Sequence, residues 1–142
     1  MTNKRTLALF TAIVGAALVA GMASATGAPT RASVLIRHQM RGCHTWSVNG
    51  GPFRASQTIV LRRGGSIRVT NNDVMPHKLI KTSGPSIRFV GKPNMNHMSA
   101  SVKAIFPKVG VYRFTTRAGE DYMRGMKTIG EDKILHLTVK VS

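Results

Sequence analysis

Three kinds of residue are scarce in this 142-residue chain, and each scarcity excludes a class of protein. Cys43 is the only cysteine, so neither an intramolecular disulfide nor a CxxC metal ribbon can form. Aspartate and glutamate together number 5, which leaves few candidates for paired-carboxylate catalysis. Aromatic residues make up 6% of the chain, too few for a platform on which nucleic-acid bases stack. No glycine-rich loop opens a helix, so nothing supports a phosphate-containing cofactor. We therefore expect a protein that is not an enzyme.

Basic residues, in contrast, are abundant. Lysine and arginine number 21, which gives a formal net charge of +16. A charge of this size favours acidic or anionic surfaces as partners. The basic residues are spread along the chain, with no run longer than Arg62-Arg63. Together with the few aromatics, this distribution argues against a nucleic-acid partner.

The N-terminal segment has the pattern of a secretory signal peptide. Lys4 and Arg5 precede the apolar run 7–20, and Ala23-Ser24-Ala25 forms an A-x-A cleavage pattern. The run has about 14 residues, against the roughly 20 needed to span a bilayer, although an uncleaved anchor remains the alternative. We expect 1–25 to be removed and no transmembrane span to remain. Without Lys4 and Arg5, the net charge falls from +16 to +14. The expected location is periplasmic, cell-surface or secreted.

The rest of the chain predicts β-strands and no long helix. Residues 26–33 are small and polar, and we expect a disordered lead-in there, followed by one domain over 34–142. Short extended or alternating segments, bounded by glycine, proline and asparagine turns, predict an antiparallel sandwich or barrel. These segments are 34–36, 45–48, 58–61, 66–70, 78–80, 101–106, 111–115 and 134–141.

The order of the motifs resembles that of a cupredoxin. A strand segment over 53–61 leads to Gly64-Gly65, and a second ends in the N-x-D motif of 71–73 with His77 shortly after it. A G-x-Y-x-F strand over 110–114 and a methionine before the last strand, Met126, complete the pattern. The resemblance implies an all-β, antiparallel Greek-key sandwich that binds copper. It also implies electron transfer or copper handling outside the cytoplasm, with a redox or copper-handling protein as partner.

The resemblance further implies a ligand set, and the sequence departs from it. In the family, the histidine after N-x-D binds copper, and His77 is the matching position. The family's last loop supplies a cysteine, a second histidine and a methionine. Here the cysteine position falls at about Thr116, and only the methionine is kept, as Met126, with Met123 nearby. Because a blue-copper site needs a thiolate, we expect an atypical copper site.

Other residues are candidates for the missing ligands. The segment 95–98 contains His97 and Met98, and the family's topology starts it at the same loop end as His77. Thioether and imidazole ligands suit Cu(I), so His77, His97, Met98, Met123 and Met126 are predicted to converge. The alternative for each methionine is an adaptable filler of the hydrophobic core.

Cys43 and His44 form a second candidate pair. Adjacent residues of a strand point to opposite faces, so both can bind one metal only if Gly42 opens a bulge. His44 shares a face with Trp46 and Val48, and Cys43 is either a relocated thiolate or a buried small hydrophobic residue. His38 lies just before this pair and is a candidate extension of the cluster.

The sequence also allows two alternatives to the copper-binding hypothesis. The net charge of the mature chain also fits a metal-free basic sandwich that acts as a surface adhesion or polyanion-binding module. The acidic pairs Glu120-Asp121 and Glu131-Asp132 could bind a hard cation, although each also fits a solvated turn.

Overall fold

The computed structural model describes residues 27–38, 44–119 and 134–142, in which ten strands form two five-stranded sheets. The strands are β1 Arg31–His38, β2 His44–Val48, β3 Ser56–Leu61, β4 Ser66–Asn72, β5 His77–Ser83, β6 Arg88–Val90, β7 Asn94–Met95, β8 Ser101–Ile105, β9 Gly110–Ala118 and β10 His136–Val141. In these described ranges no helix is long and apolar enough to cross a bilayer.

The strands are divided between two sheets, and the chain crosses from one sheet to the other several times. Sheet A has the order β2-β1-β4-β8-β6, and sheet B has the order β3-β10-β9-β5-β7. Strand β1 runs parallel to β4, and β10 runs parallel to β3, while the other pairs are antiparallel. The predicted all-β sandwich is confirmed. Its sheets are mixed rather than wholly antiparallel, because these crossovers bring strands of the same direction side by side.

Alternating side chains build the core between the sheets. In β4, Ile67 and Val69 are fully buried while Arg68 between them is exposed, as period-2 geometry requires. The same alternation in the other strands brings both inner faces together in a single hydrophobic cluster. Its largest members are Trp46, Tyr112, Phe106 and Phe114. This core fixes the ends of the strands, and therefore the loops between them.

Some sequence-based boundaries need correction. Strand β1 begins at Arg31 and pairs from that residue with β4, so 31–33 are strand rather than disordered lead-in. Strands β6 and β7 were not expected, because segments of three and two residues are too short to show an alternating pattern. The predicted signal peptide, residues 1–25, lies outside the described residues.

Gly84 makes a close backbone contact at the end of β5. Its φ is +102°, and a Cβ there would lie 2.5 Å from the Val111 carbonyl oxygen. Gly84→Ala should therefore lower the free energy of unfolding by about 2 kcal/mol through backbone strain and overlap. Gly50→Ala is the matched control, since Gly50 has a φ of +74° but no atom near the added methyl. Denaturant unfolding should show the smaller loss for Gly50→Ala, and equal losses would contradict the role of the close contact.

Candidate metal centre

Four polar side chains meet at one end of the sandwich, where β1 and β4 end and β2 and β5 begin. His38 and His44 are directly paired across β1 and β2. Asp73 follows β4, and His77 is the first residue of β5. His44, Asp73 and His77 are buried, whereas His38 is half exposed. The cluster thus has a closed interior and one edge open to solvent.

The carboxylate of Asp73 is the centre of this cluster. Its Oδ2 accepts hydrogen bonds from His44 Nδ1 at 2.8 Å and from His77 Nε2 at 3.2 Å. Its Oδ1 accepts the backbone N–H of Met75 at 3.1 Å and lies 3.9 Å from His38 Nδ1. Both oxygens are therefore engaged, and the rings of His44 and His77 are held at a centroid separation of 4.7 Å, nearly perpendicular to each other.

These contacts keep Asp73 ionised although it is buried. Burial alone would raise the pKa of its carboxyl, because an apolar environment disfavours the charged form. The hydrogen bonds from His44, His77 and the Met75 backbone outweigh burial, and the pKa of Asp73 lies far below its ordinary value. The cluster therefore contains a fixed, buried negative charge beside two imidazole rings.

The hydrogen bond to Asp73 determines which nitrogen of His77 is available. A carboxylate can only accept, so the hydrogen lies on His77 Nε2, and in the neutral ring Nδ1 carries a lone pair. His77 Nδ1 is buried and has no hydrogen-bond partner among the described residues. A histidine that donates one ring N–H to a carboxylate and keeps the other nitrogen unprotonated has the arrangement typical of a metal ligand.

His38 extends the same cluster toward solvent. One ligand atom from each of His38, His44 and Asp73 can be chosen so that all lie within 4.8 Å of one another, a grouping that could hold a metal ion. The rings of His38 and His44 have a centroid separation of 6.1 Å. Two nitrogen donors and one carboxylate oxygen suit borderline metals such as Cu(II) or Zn²⁺.

Asn71 holds the surrounding loops in place. Its side-chain N–H groups donate to the carbonyl oxygens of Met75 at 2.8 Å and Met95 at 3.2 Å. Its Oδ1 accepts the backbone N–H of Asp73 at 2.9 Å. One buried amide therefore connects the loop before His77, the carboxylate that binds His77, and the segment that contains His97.

The structure brings together some of the predicted site residues. His77 and His44 are in contact through Asp73, as described above. His97 and Met98 are exposed on the segment after β7, and the His97 ring Nδ1 donates to the Met98 carbonyl oxygen at 2.8 Å. Their role as ligands stays a prediction. Cys43, Met123 and Met126 lie outside the described residues, so their convergence with His77 also stays a prediction.

Sequence reasoning missed Asp73 and Asn71 as parts of the site. From the sequence, the N-x-D motif of 71–73 indicates only the end of a strand and one part of a family pattern. An asparagine and an aspartate two residues apart, just before a histidine, are the signal that could have identified them, because both side chains can bond to nearby backbone in such a turn. The family pattern gave His77, but not the carboxylate that orients it.

Comparisons with known proteins found similar chains among solved structures. No family model matches the sequence, and no curated protein matches it. Among solved structures, a purple cupredoxin from Nitrosopumilus maritimus is 18% identical, with 78% of this chain and 98% of that chain covered and a TM-score of 0.45. A mutant of amicyanin is 10% identical, with 78% and 82% covered and a TM-score of 0.40. An inclusion body protein from Burkholderia cenocepacia is 7% identical, with 83% and 99% covered and a TM-score of 0.45.

Proposed function

We propose that this chain is an exported copper-binding protein whose metal centre is anchored by His77. The observation that supports the proposal is the buried Nδ1 of His77, which has no hydrogen-bond partner among the described residues while Nε2 is held by Asp73. A buried polar atom without a partner is costly unless it binds something, and a metal ion would relieve that cost. Electron transfer or copper handling outside the cytoplasm is the role that we propose.

Asp73 acts on the metal through the histidines rather than as the anchor ligand. By accepting from His77 Nε2, it fixes the orientation of the ring and directs Nδ1 away from the carboxylate. By accepting from His44 Nδ1, it also fixes the orientation of the second ring. Its negative charge lies close to where a cation would bind, and that charge favours binding.

The remaining ligands are proposed from the sequence. Met123, Met126, His97, Met98 and Cys43 are the candidates, with His44 as the nearest second imidazole. Copper, when bound, supplies one-electron chemistry between Cu(I) and Cu(II). Thioether ligands favour Cu(I), and nitrogen ligands accommodate both states. A rigid sandwich would keep the positions of His44 and His77 nearly unchanged between the two oxidation states, which favours rapid electron transfer.

Anaerobic titration with Cu(I) and with Cu(II) tests the proposal. His77→Ala should weaken copper binding by about 100-fold or more, because it removes the anchor ligand itself. His136→Ala is the matched control, since His136 is an exposed histidine of β10. An intense visible band with Cu(II) that disappears in Cys43→Ala would identify a thiolate ligand, whereas tight Cu(I) binding without colour would indicate a histidine and methionine site.

Two results would contradict the proposal. One is the absence of binding for either oxidation state at micromolar copper. The other is binding that His77→Ala leaves unchanged, or that His136→Ala weakens equally, because copper would then bind elsewhere. Circular dichroism of each variant separates loss of the ligand from loss of the fold.

A further inference from the structure

A band of cations crosses the outer face of sheet A, away from the metal centre. Arg31 of β1, Arg68 of β4, Lys103 of β8 and Arg88 of β6 come from four adjacent strands, and each alternates with inward-facing core residues. Neighbouring strands are about 4.8 Å apart, so the band is about 14 Å long. We call these four residues the cationic band.

The centre of the cationic band is a depression shaped by three of its members. Arg31, Arg68 and Lys103, together with Ser66, line an open cavity of about 220 Å³. Arg68 also donates from Nη1 to Ser101 Oγ at 3.3 Å, which directs its guanidinium along the sheet. The depression thus combines two guanidinium forks, an ammonium and a hydroxyl, which are the donors that bind oxyanions.

The arrangement is unfavourable for the sheet itself. Arg68 and Lys103 are direct cross-strand partners, and like charges in that position destabilise a sheet. Among the described residues no carboxylate side chain relieves the repulsion, because Asp73 is the only aspartate or glutamate there and it is buried at the candidate metal centre. Anions bound across the two strands would remove the repulsion.

We propose that the cationic band binds a linear polymer of closely spaced oxyanions. Such a chain carries phosphate or sulfate groups at intervals of several ångströms, comparable to the spacing of cations on successive strands. The geometry favours a linear polymer over an anionic membrane, because the cations form a band across the strands rather than filling the face. The outer positions of β1 and β4 next to it, Ser33, Leu35 and Thr70, carry no charge, and they separate the band from Arg37 at the far end of β1.

The test compares two double variants, each of which removes one arginine and one lysine charge, from sheet A in one variant and from sheet B in the other. Arg68→Gln with Lys103→Gln changes the cationic band, and Arg113→Gln with Lys140→Gln changes exposed positions of sheet B. Binding of long-chain polyphosphate and of heparin is measured by calorimetry over a range of salt concentrations. The band variant should lose about tenfold or more in affinity, and its slope of log K against log salt should fall by about 2. The sheet B variant should stay within about twofold of the parent chain.

Each outcome of this test is decisive. Selective loss for polyphosphate alone or heparin alone supports the band and identifies phosphate or sulfate as the source of the oxyanions. Equal losses in the two variants would mean that net charge alone attracts the polymer, and the proposal would be overturned. If anionic phospholipid vesicles bind more tightly than either polymer, and their binding depends on the cationic band, the partner is a membrane surface and the proposal of a linear polymer is overturned.

The stability of the band variant provides a check that is independent of binding. Because the substitution removes a like-charge pair, the midpoint of thermal unfolding should be unchanged or higher. If the double variant does not fold, Lys103→Gln alone is used, and its salt slope should fall by about 1. An unchanged slope in Lys103→Gln would overturn the proposal.

Discussion

Replacing Asp73 by alanine should lower the free energy of unfolding by about 3 kcal/mol. Asp73 is buried and accepts hydrogen bonds from two imidazole rings and from the Met75 backbone, so its removal takes the acceptor from three buried or half-buried donors. Denaturant unfolding followed by the fluorescence of Trp46, the only tryptophan, measures the change. The variant should also bind copper more weakly, by about 10- to 100-fold, because the His77 ring loses its orientation.

Asp73→Asn is the control that separates the charge from the hydrogen bonds. Asparagine keeps an acceptor oxygen in nearly the same volume, so it should lose less stability than alanine while still weakening copper binding. Stability losses of equal size in the two variants would contradict a role for the acceptor oxygen. An alanine variant as stable as the parent chain would contradict the carboxylate-centred cluster altogether.

The pH dependence of the same variants tests whether Asp73 is ionised when folded. The pKa of Asp73 is lower in the folded state than in the unfolded state, so the ionised carboxylate stabilises the fold at pH values above its ordinary pKa of 3.8. That contribution is lost as the pH falls toward the folded pKa. The stability difference between the parent chain and Asp73→Asn should therefore narrow steadily below pH 3.8. A difference that stays constant to pH 2 would show that the folded carboxyl has no lowered pKa.

The second large effect is expected at Trp46, where replacement by alanine should lower the free energy of unfolding by about 4 kcal/mol. Trp46 is fully buried, and its indole N–H donates to the Ala55 carbonyl oxygen at 3.1 Å. Its backbone N–H and carbonyl also pair with Arg54, where the chain passes from β2 in sheet A toward β3 in sheet B. The substitution therefore leaves a large cavity at the point where the chain crosses between the sheets.

The unfolding of Trp46→Ala is monitored by circular dichroism, because the substitution removes the only tryptophan of the chain. Trp46→Phe is the matched control, because it keeps an aromatic ring while losing the hydrogen bond, and it should cost about half as much as alanine. A loss below about 1 kcal/mol for Trp46→Ala would contradict its place as the largest core side chain. Because His44 lies two residues away on the same face, Trp46→Ala should also weaken copper binding.

The elements that could be predicted from the sequence are those with a repeating pattern. Strand β4 alternates apolar and polar residues and is bounded by glycine and asparagine turns, so period and turn chemistry agree. Strands β6 and β7 carry no such signal, since their three and two residues form strands only because β8 and β5 offer backbone partners. Parallel pairing between β1 and β4 depends on a crossover that local sequence does not encode.

The candidate metal centre shows the same division between local and distant information. His77 was identified from a motif that is contiguous in sequence. The contact between His44 and Asp73 joins residues 29 positions apart, so it depends on how the strand ends are aligned in space. His38 faces His44 because of the strand register between them, and a shift of one residue would have turned one ring away from the carboxylate.

The C-terminal strand has a consequence for the order in which the chain can fold. Strand β10 lies inside sheet B, between β3 and β9, so that sheet cannot close until the final residues are available. A nascent chain that still lacks these residues leaves the edges of β3 and β9 unpaired. Closure of sheet B therefore follows the synthesis of β10, and β3 and β9 stay without this shared partner until that strand is present.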